Sequence, residues 1–247
     1  MIRTALLALA SLTAAPALAQ DGPAEAPPIG AAPALEVTAT IDLLSDYRFR
    51  GVSRSDEDPA VQAGVALYHD SGLYLGARAT SLRGIDRFRL QDQGDAQIDL
   101  YAGFGTDIGG GFSVDGGLMY YAFAGAAGPA DHVEPYASLS YLIGPVLMTG
   151  GAKFAPAQAG TRREDMLYLY GQVDVTVPFR PWAFTAQFGH QHWGRYGGYW
   201  AWSLGGRHHV QLEGIPSTEI GLTYVDTSLP SGPGRDAGLV ASVAISF

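Results

Sequence analysis

From about Leu35 to the last residue, apolar and polar side chains change places at every second position, in runs of about ten residues. In "LEVTATIDLLSDYRF", Val37, Ala39, Ile41, Leu43, Tyr47 and Phe49 stand against Thr38, Thr40, Asp42, Asp46 and Arg48. "DAQIDLYAGF", "LYLYGQVDVTV" and "GLVASVAISF" repeat the pattern. Neighbouring side chains of a strand point to opposite faces, so a period of two is a strand signal, and helical periodicity is almost absent. Twelve such segments are expected, over 36–50, 59–69, 73–81, 95–106, 112–123, 133–143, 146–154, 167–177, 182–191, 199–208, 218–226 and 238–247.

The connections have their own pattern. "DSG", "DIGGG", "IGP" and "PFRP" are tight turns rich in Gly and Pro, and longer links alternate with them. The link near "HVQLEGIPS" falls at a short position without being short. An even number of strands with short turns at one end and long loops at the other is the pattern of a membrane barrel. Aromatics at apolar-face strand ends (Tyr47, Phe49, Phe104, Phe112, Trp182, Trp200 and Trp202) suit interface girdles. A soluble sandwich also alternates apolar with polar and stays open as the alternative. The expected fold is all-β: a transmembrane antiparallel up-and-down β-barrel of about 12 strands. Backbone groups in lipid need such a closed sheet.

The two ends add a location. Residues 1–19, "MIRTALLALASLTAAPALA", read as a secretory signal peptide, with basic Arg3, a short apolar run and a small-x-small site at Ala17 to Ala19. No Cys follows it, which excludes a lipoprotein anchor, and the chain has none anywhere, so disulfides and thiolate metal sites are excluded too. Residues 20–34 are a Pro/Ala-rich flexible lead-in, and 35–247 the barrel. Phe247, with Ile245, Val243 and Ala241 on its face, has the form of a terminal signal for the outer-membrane barrel assembly machinery. The formal net charge is −9, and loss of Arg3 makes the mature chain more acidic still. That balance argues against nucleic acid as a partner.

On the polar parity lie Asp42, Asp46, Arg48, Arg50, Arg78, Asp99, Tyr101, Asp115, Glu134, Lys153, Tyr168, Tyr170 and Asp174. These are the candidate pore-lining residues, because a charge on the lipid face costs kilocalories at the midplane. Tyr47 and Phe49 are expected at the outer lipid interface. Asp46, Arg48 and Arg50 are expected on the lumen wall as a charged eyelet, balanced by Asp42 and by Asp99 or Asp174 from across the lumen.

"LLSDYRFRGVSRSDEDPAVQAGVALYHDSGLYLGARATS", residues 43–81, resembles the start of the TorF-family porins of Gram-negative outer membranes. The chain keeps Ser45 to Gly51, Ser53, Ser55, Pro59 to Gln62, Gly64 and Ser71-Gly72 of the family pattern, and "GDAQIDLYAGF" and "YYAFAG" are similar to later family segments. It departs at Ala63 and at Arg78, where the family tends to carry an aromatic. The resemblance implies a porin-like barrel and no catalytic residues.

The remaining motifs are thin. His190 and His192 share a strand face with a spacing that can chelate a metal, but no third ligand lies nearby, so interface histidines beside Trp193 are the preferred reading and no metal is assigned. His208 and His209 point to opposite faces and read as a turn. The glycine runs at 109–111 and in "RYGGY" read as turns, not phosphate loops, since no helix follows. No cofactor is expected. The leading function is an outer-membrane channel for passive diffusion of small hydrophilic solutes, with outer-membrane lipids around it. A structural or adhesive barrel with a blocked lumen is the alternative; "LRGIDRFRLQDQG" and "APAQAGTRREDM" are the loops that could fold inward. A lipid hydrolase is a weaker alternative, and Ser203 with His190 is the only pair to serve it.

Overall fold

The computed structural model describes residues 35–86, 91–211, 214 and 217–247; the signal peptide and lead-in lie outside the described residues. Twelve strands close into one antiparallel barrel. They are β1 (Leu35–Leu44), β2 (Ala60–His69), β3 (Leu73–Ser81), β4 (Ala96–Gly109), β5 (Phe112–Ala124) and β6 (His132–Ile143). The second half is β7 (Val146–Ala155), β8 (Met166–Thr176), β9 (Trp182–Trp193), β10 (Gly198–Val210), β11 (Ser217–Thr227) and β12 (Gly238–Ser246). Each strand pairs with the next, and β1 closes on β12 from Thr40↔Ser246 to Leu44↔Ser242. Over that seam the first and last strands satisfy each other's backbone groups, as an open edge would not.

Alternation along the strands becomes inside and outside. Val37, Ile41 and Leu43 of β1 are exposed, while Asp42 and Leu44 between and beyond them are buried. The same holds around the wall, where Val65, Leu75, Leu100, Leu118, Leu139, Leu169, Leu204, Ile220, Leu222 and Val243 form an exposed apolar belt. A belt of this extent on a closed barrel is the surface that a bilayer covers. Phe104, Phe112 and Trp182 are exposed toward the short-turn end, and Trp200 stacks on Phe188 toward the long-loop end, with ring centroids 4.7 Å apart.

Links 70–72, 110–111, 144–145 and 177–181 lie at one end, with the strand ends Val210 and Ser217; 45–59, 125–131, 156–165, 194–197 and 228–237 lie at the other, with the strand ends Ser81 and Ala96. The triple glycine is a turn, with all three residues at positive φ between β4 and β5. One expected long link is short: β9 and β10 continue pairing to His192↔Gly198, which leaves only 194–197 to join them. The "RHH" pair is not a turn. β10 runs on to Val210, and His208 packs against Trp182 on the outer face, 4.4 Å between ring centroids.

Candidate functional site

The first strand ends at Leu44, not near residue 50. "SDYRFRGVSRS" leaves the wall and folds into the lumen as a hairpin. Arg48–Phe49 pairs with Val52–Ser53 in a short antiparallel ribbon. Arg50 and Gly51 form its two-residue turn, with φ of 50° and 86°. Two successive left-handed residues make the turn whose twist suits a tight hairpin. Asp46 anchors the root: its carboxylate accepts hydrogen bonds from Arg48 Nε (2.6 Å), Ser53 Oγ (2.6 Å) and Ser55 Oγ (3.0 Å). Ser55 Oγ also accepts from the Tyr47 amide. Serines 53 and 55 therefore serve the acid that starts the loop.

This corrects the expected place of five residues. Tyr47 and Phe49 are not at the lipid interface; they are 1% and 8% exposed, inside the barrel. Phe49 meets Tyr121 edge-on at 5.6 Å. Asp46, Arg48 and Arg50 are inside, but on the inserted hairpin and not on the wall. The acid that balances Arg50 is neither Asp99 nor Asp174. It is Glu134 of β6, whose Oε2 accepts from Arg50 Nη2 at 2.6 Å. Arg50 also donates to Gln191 of β9 at 2.5 Å and lies 4.5 Å from the centre of the Tyr168 ring. Asp99 instead holds Arg78, its register partner, at 2.8 Å, and Asp174 accepts from Thr185 at 2.6 Å.

The hairpin touches the wall around most of the lumen. Arg54 donates to Gln97 of β4 and lies over the Phe49 ring, 3.5 Å from its centre. Arg48 donates to the Asp236 carbonyl at 2.6 Å, and the Ser53 amide to the Gly234 carbonyl at 2.8 Å. At the tip, a Cβ on Gly51 would run into Thr227 of β11 and stand 3.1 Å from Ala201 of β10. From the 82–95 loop, Gln93 caps the hairpin by donating to the Arg54 carbonyl at 2.7 Å. Of the two loops expected to fold inward, the described parts send Gln93 onto the hairpin and Arg162 to the cavity above it, while the first loop supplies the hairpin itself.

Below the hairpin, toward the short turns, the interior is polar and rich in tyrosine. Tyr74 donates to Asp115 at 2.7 Å and shares a hydrogen bond with Tyr136. Asp42 and Lys153 are buried on the inner face. The tyrosines lie flat over glycines of adjacent strands. A Cβ at Gly76 would meet Tyr101, at Gly151 Tyr170, and at Gly189 Tyr168. Each glycine makes a recess that takes a ring against the wall, as aromatics cover glycines elsewhere in sheets. Above the hairpin, toward the long loops, lies a cavity of about 310 Å³. Sequence reasoning passed over several residues here: Arg54, Gln97, His132, Arg162 and Gln191. Gln97 and Gln191 stand on the inward parity and carried that much signal; Arg54 and Arg162 are in loops and carried none.

Outside the lumen, His190 and His192 are on the outer face, and His190 packs beside Trp200, not Trp193, with ring centroids 4.5 Å apart. Ser203 pairs with Gln187 on the inward parity, so the wall separates it from His190. Among the described residues no group of three or more His, Cys, Asp or Glu is placed to hold a metal.

The profile of a family described as "Bacterial protein of unknown function (Gcw_chp)" matches residues 29–234. The chain is a member of the Gcw_chp family. No curated protein sequence matches it. Among solved structures, this Gcw_chp protein is similar to the NanC porin, with a TM-score of 0.58, 11% identity, and coverage of 86% of this chain and 99% of the other. It is also similar to the KdgM porin, solved in complex with disordered oligogalacturonate, with a TM-score of 0.55, 10% identity, and coverage of 85% and 98%. At these identities the likeness is one of fold.

Proposed function

We propose that this protein is a porin-like channel of the outer membrane, passing small hydrophilic solutes through a lumen narrowed by the hairpin at residues 46–58. The observation that carries the reading is the contrast between the two faces of the closed sheet. The outside is an apolar belt, and the inside is lined by Asp42, Arg78, Asp99, Asp115, Lys153 and Asp174 with flat-lying tyrosines. Rings laid against the wall take up less of the lumen than rings standing off it would. In pores of this kind lining charge and bore set selectivity. The likeness to the NanC and KdgM folds and the resemblance of residues 43–81 to TorF-family porins support the same reading.

The packing of the hairpin favours a second reading, a barrel with a blocked lumen. Glu134, Gln97, Tyr121 and Tyr168, which face the hairpin, are at most 2% exposed. One variant separates the two. Leu44 and Ala60 are direct register partners, so residues 45–59 can be replaced by Asn-Gly without opening the wall. In planar bilayers the refolded wild type is expected to conduct ions, and the shortened variant to conduct more. A silent wild type with a conducting variant would favour the blocked barrel. Silence from both, with intact heat-modifiable folding, would refute a channel.

A further inference from the structure

The cavity above the hairpin is lined by Arg50, Arg54, Arg162 and His132, and among the described residues no carboxylate lines it. Arg50 is matched by Glu134, which lies behind it. Arg54 is held by the neutral Gln97 and by the Phe49 and Phe123 rings, with no carboxylate at salt-bridge distance among the described residues. Arg162 lies over the Trp193 and Tyr196 rings, 5.9 and 5.2 Å from their centres. A recess of cations in a chain of net charge −9 is a local reversal of sign, and such recesses concentrate counter-ions. The other walls are aromatic: Phe49, Trp193, Tyr196 and Tyr199. Gln93, Gln191 and Ser53 add neutral hydrogen-bonding groups. The cavity volume of about 310 Å³ suits a single small ring compound.

We infer that this vestibule binds small carboxylates carried on a ring, either a sugar acid or an aromatic acid. The guanidinium groups would take the carboxylate as charge-assisted donors, and the aromatic walls would take the ring. The inference deepens the channel reading by naming the solute class met at the long-loop mouth. Its test does not need conduction.

Trp193 is the tryptophan that lines the cavity; Trp182, Trp200 and Trp202 lie on the outward parity. Intrinsic fluorescence of the refolded protein in zwitterionic detergent therefore reports on the site. Sodium glucuronate and sodium benzoate are titrated, with glucose and benzyl alcohol as neutral counterparts and inorganic phosphate as an anion without a ring. The expected result is a saturable response to glucuronate or benzoate, about tenfold or more tighter than to its neutral counterpart and to phosphate. Which acid saturates identifies the source. Arg54→Gln with Arg162→Gln should abolish the response, and Arg180→Gln, at an exposed arginine of the 177–181 turn at the other end of the barrel, should leave it unchanged. If Arg54→Gln prevents folding, Arg162→Gln alone, in a loop outside the wall, should still weaken binding about tenfold. No saturation by either acid, equal response to the neutral compounds or to phosphate, or unaltered binding by the arginine variants would overturn the inference. Binding with a silent bilayer would refute the channel and keep the site; conduction without binding would refute the site alone.

Discussion

Glu134→Gln tests what keeps the hairpin docked. The Glu134 and Arg50 side chains are 1% and 2% exposed and meet at 2.6 Å. Removing one partner of such a pair leaves a buried charge unmatched, at a cost of ~3–5 kcal/mol. The substitution keeps the shape of Glu134 and touches none of the ladder bonds of β6, so the cost should fall on docking and not on the wall. That energy shifts the ratio of docked to undocked hairpin by roughly two to three and a half powers of ten. Limited trypsin digestion read by mass spectrometry measures it. Arg48 and Arg50 are 5% and 4% exposed in the docked state, whereas the side chain of Arg195, which pairs with Glu164 and not with the hairpin, is 69% exposed and serves as the internal reference. Cleavage at Arg48 and Arg50 relative to Arg195 should rise about a hundredfold. Arg50→Gln with Glu134→Gln should recover much of the protection, read at Arg48 because this variant has no tryptic site at residue 50; two neutral groups can still hydrogen-bond and no charge is stranded. An unchanged cleavage ratio in Glu134→Gln, with the barrel still heat-modifiable, would refute the claim that this pair holds the hairpin.

Gly51→Val should loosen the tip. Gly51 sits at φ 86° with Thr227 and Ala201 against it, so a β-branched residue meets both backbone strain of ~1–3 kcal/mol and a collision. Trypsin protection at Arg50 should fall about tenfold with the fold retained, and wild-type protection would show that the tip does not press on the wall. We propose that Phe247 acts as the terminal assembly signal. Its ring is 61% exposed while its amide bonds to the Ala39 carbonyl at 2.9 Å. Phe247→Ser should keep that backbone bond yet lower the amount of heat-modifiable, membrane-inserted protein; unchanged insertion at low expression would remove the role.

The wall was legible because lipid enforces parity. A charge on the outer face is costly at every depth of the bilayer core, so each strand had to show its two faces in its own residues. Asp42 between Ile41 and Leu43 was enough to orient β1. The hairpin was not legible by that rule, because it too is an extended ribbon between unlike surroundings. Its alternation from Asp46 to Arg50 resumes the parity of β1, and the break at Leu44-Ser45, where apolar and polar exchange places, was too short to stand out. Length was the neglected signal: a strand over 36–50 exceeds the 9–11 residues that a tilted barrel strand needs. The turn itself was masked, since Arg50-Gly51 replaces the Asn-Gly or Asp-Gly that usually marks it. Pairing was hidden for a different reason. Whether Tyr168 lies over Gly189, or Glu134 reaches Arg50, depends on register and on contacts across the lumen, and no single segment contains either.

The root of the hairpin and its Arg50 are held by different physics, and that sets how it can move. Its root packs Tyr47 and Phe49 into an apolar cluster with Leu44, Ala60, Leu82 and Tyr121. Apolar contacts of this kind have no equivalent in water, so they resist hydration of the lumen. At the tip, Arg50 is held by Glu134, Gln191 and the Tyr168 ring, while Val52 packs into an apolar cluster with Tyr199 and Ala201. Water and small ions can replace the Arg50 contacts but not the packing of Val52, and a solute carboxylate in the vestibule would compete for the same guanidinium. The hairpin would therefore loosen first at Arg50, with the Tyr47, Phe49 and Val52 packing holding the rest. On that geometry Glu134→Gln should raise conductance while leaving the root cluster packed, and substitutions of Phe49 should instead disturb the barrel's stability.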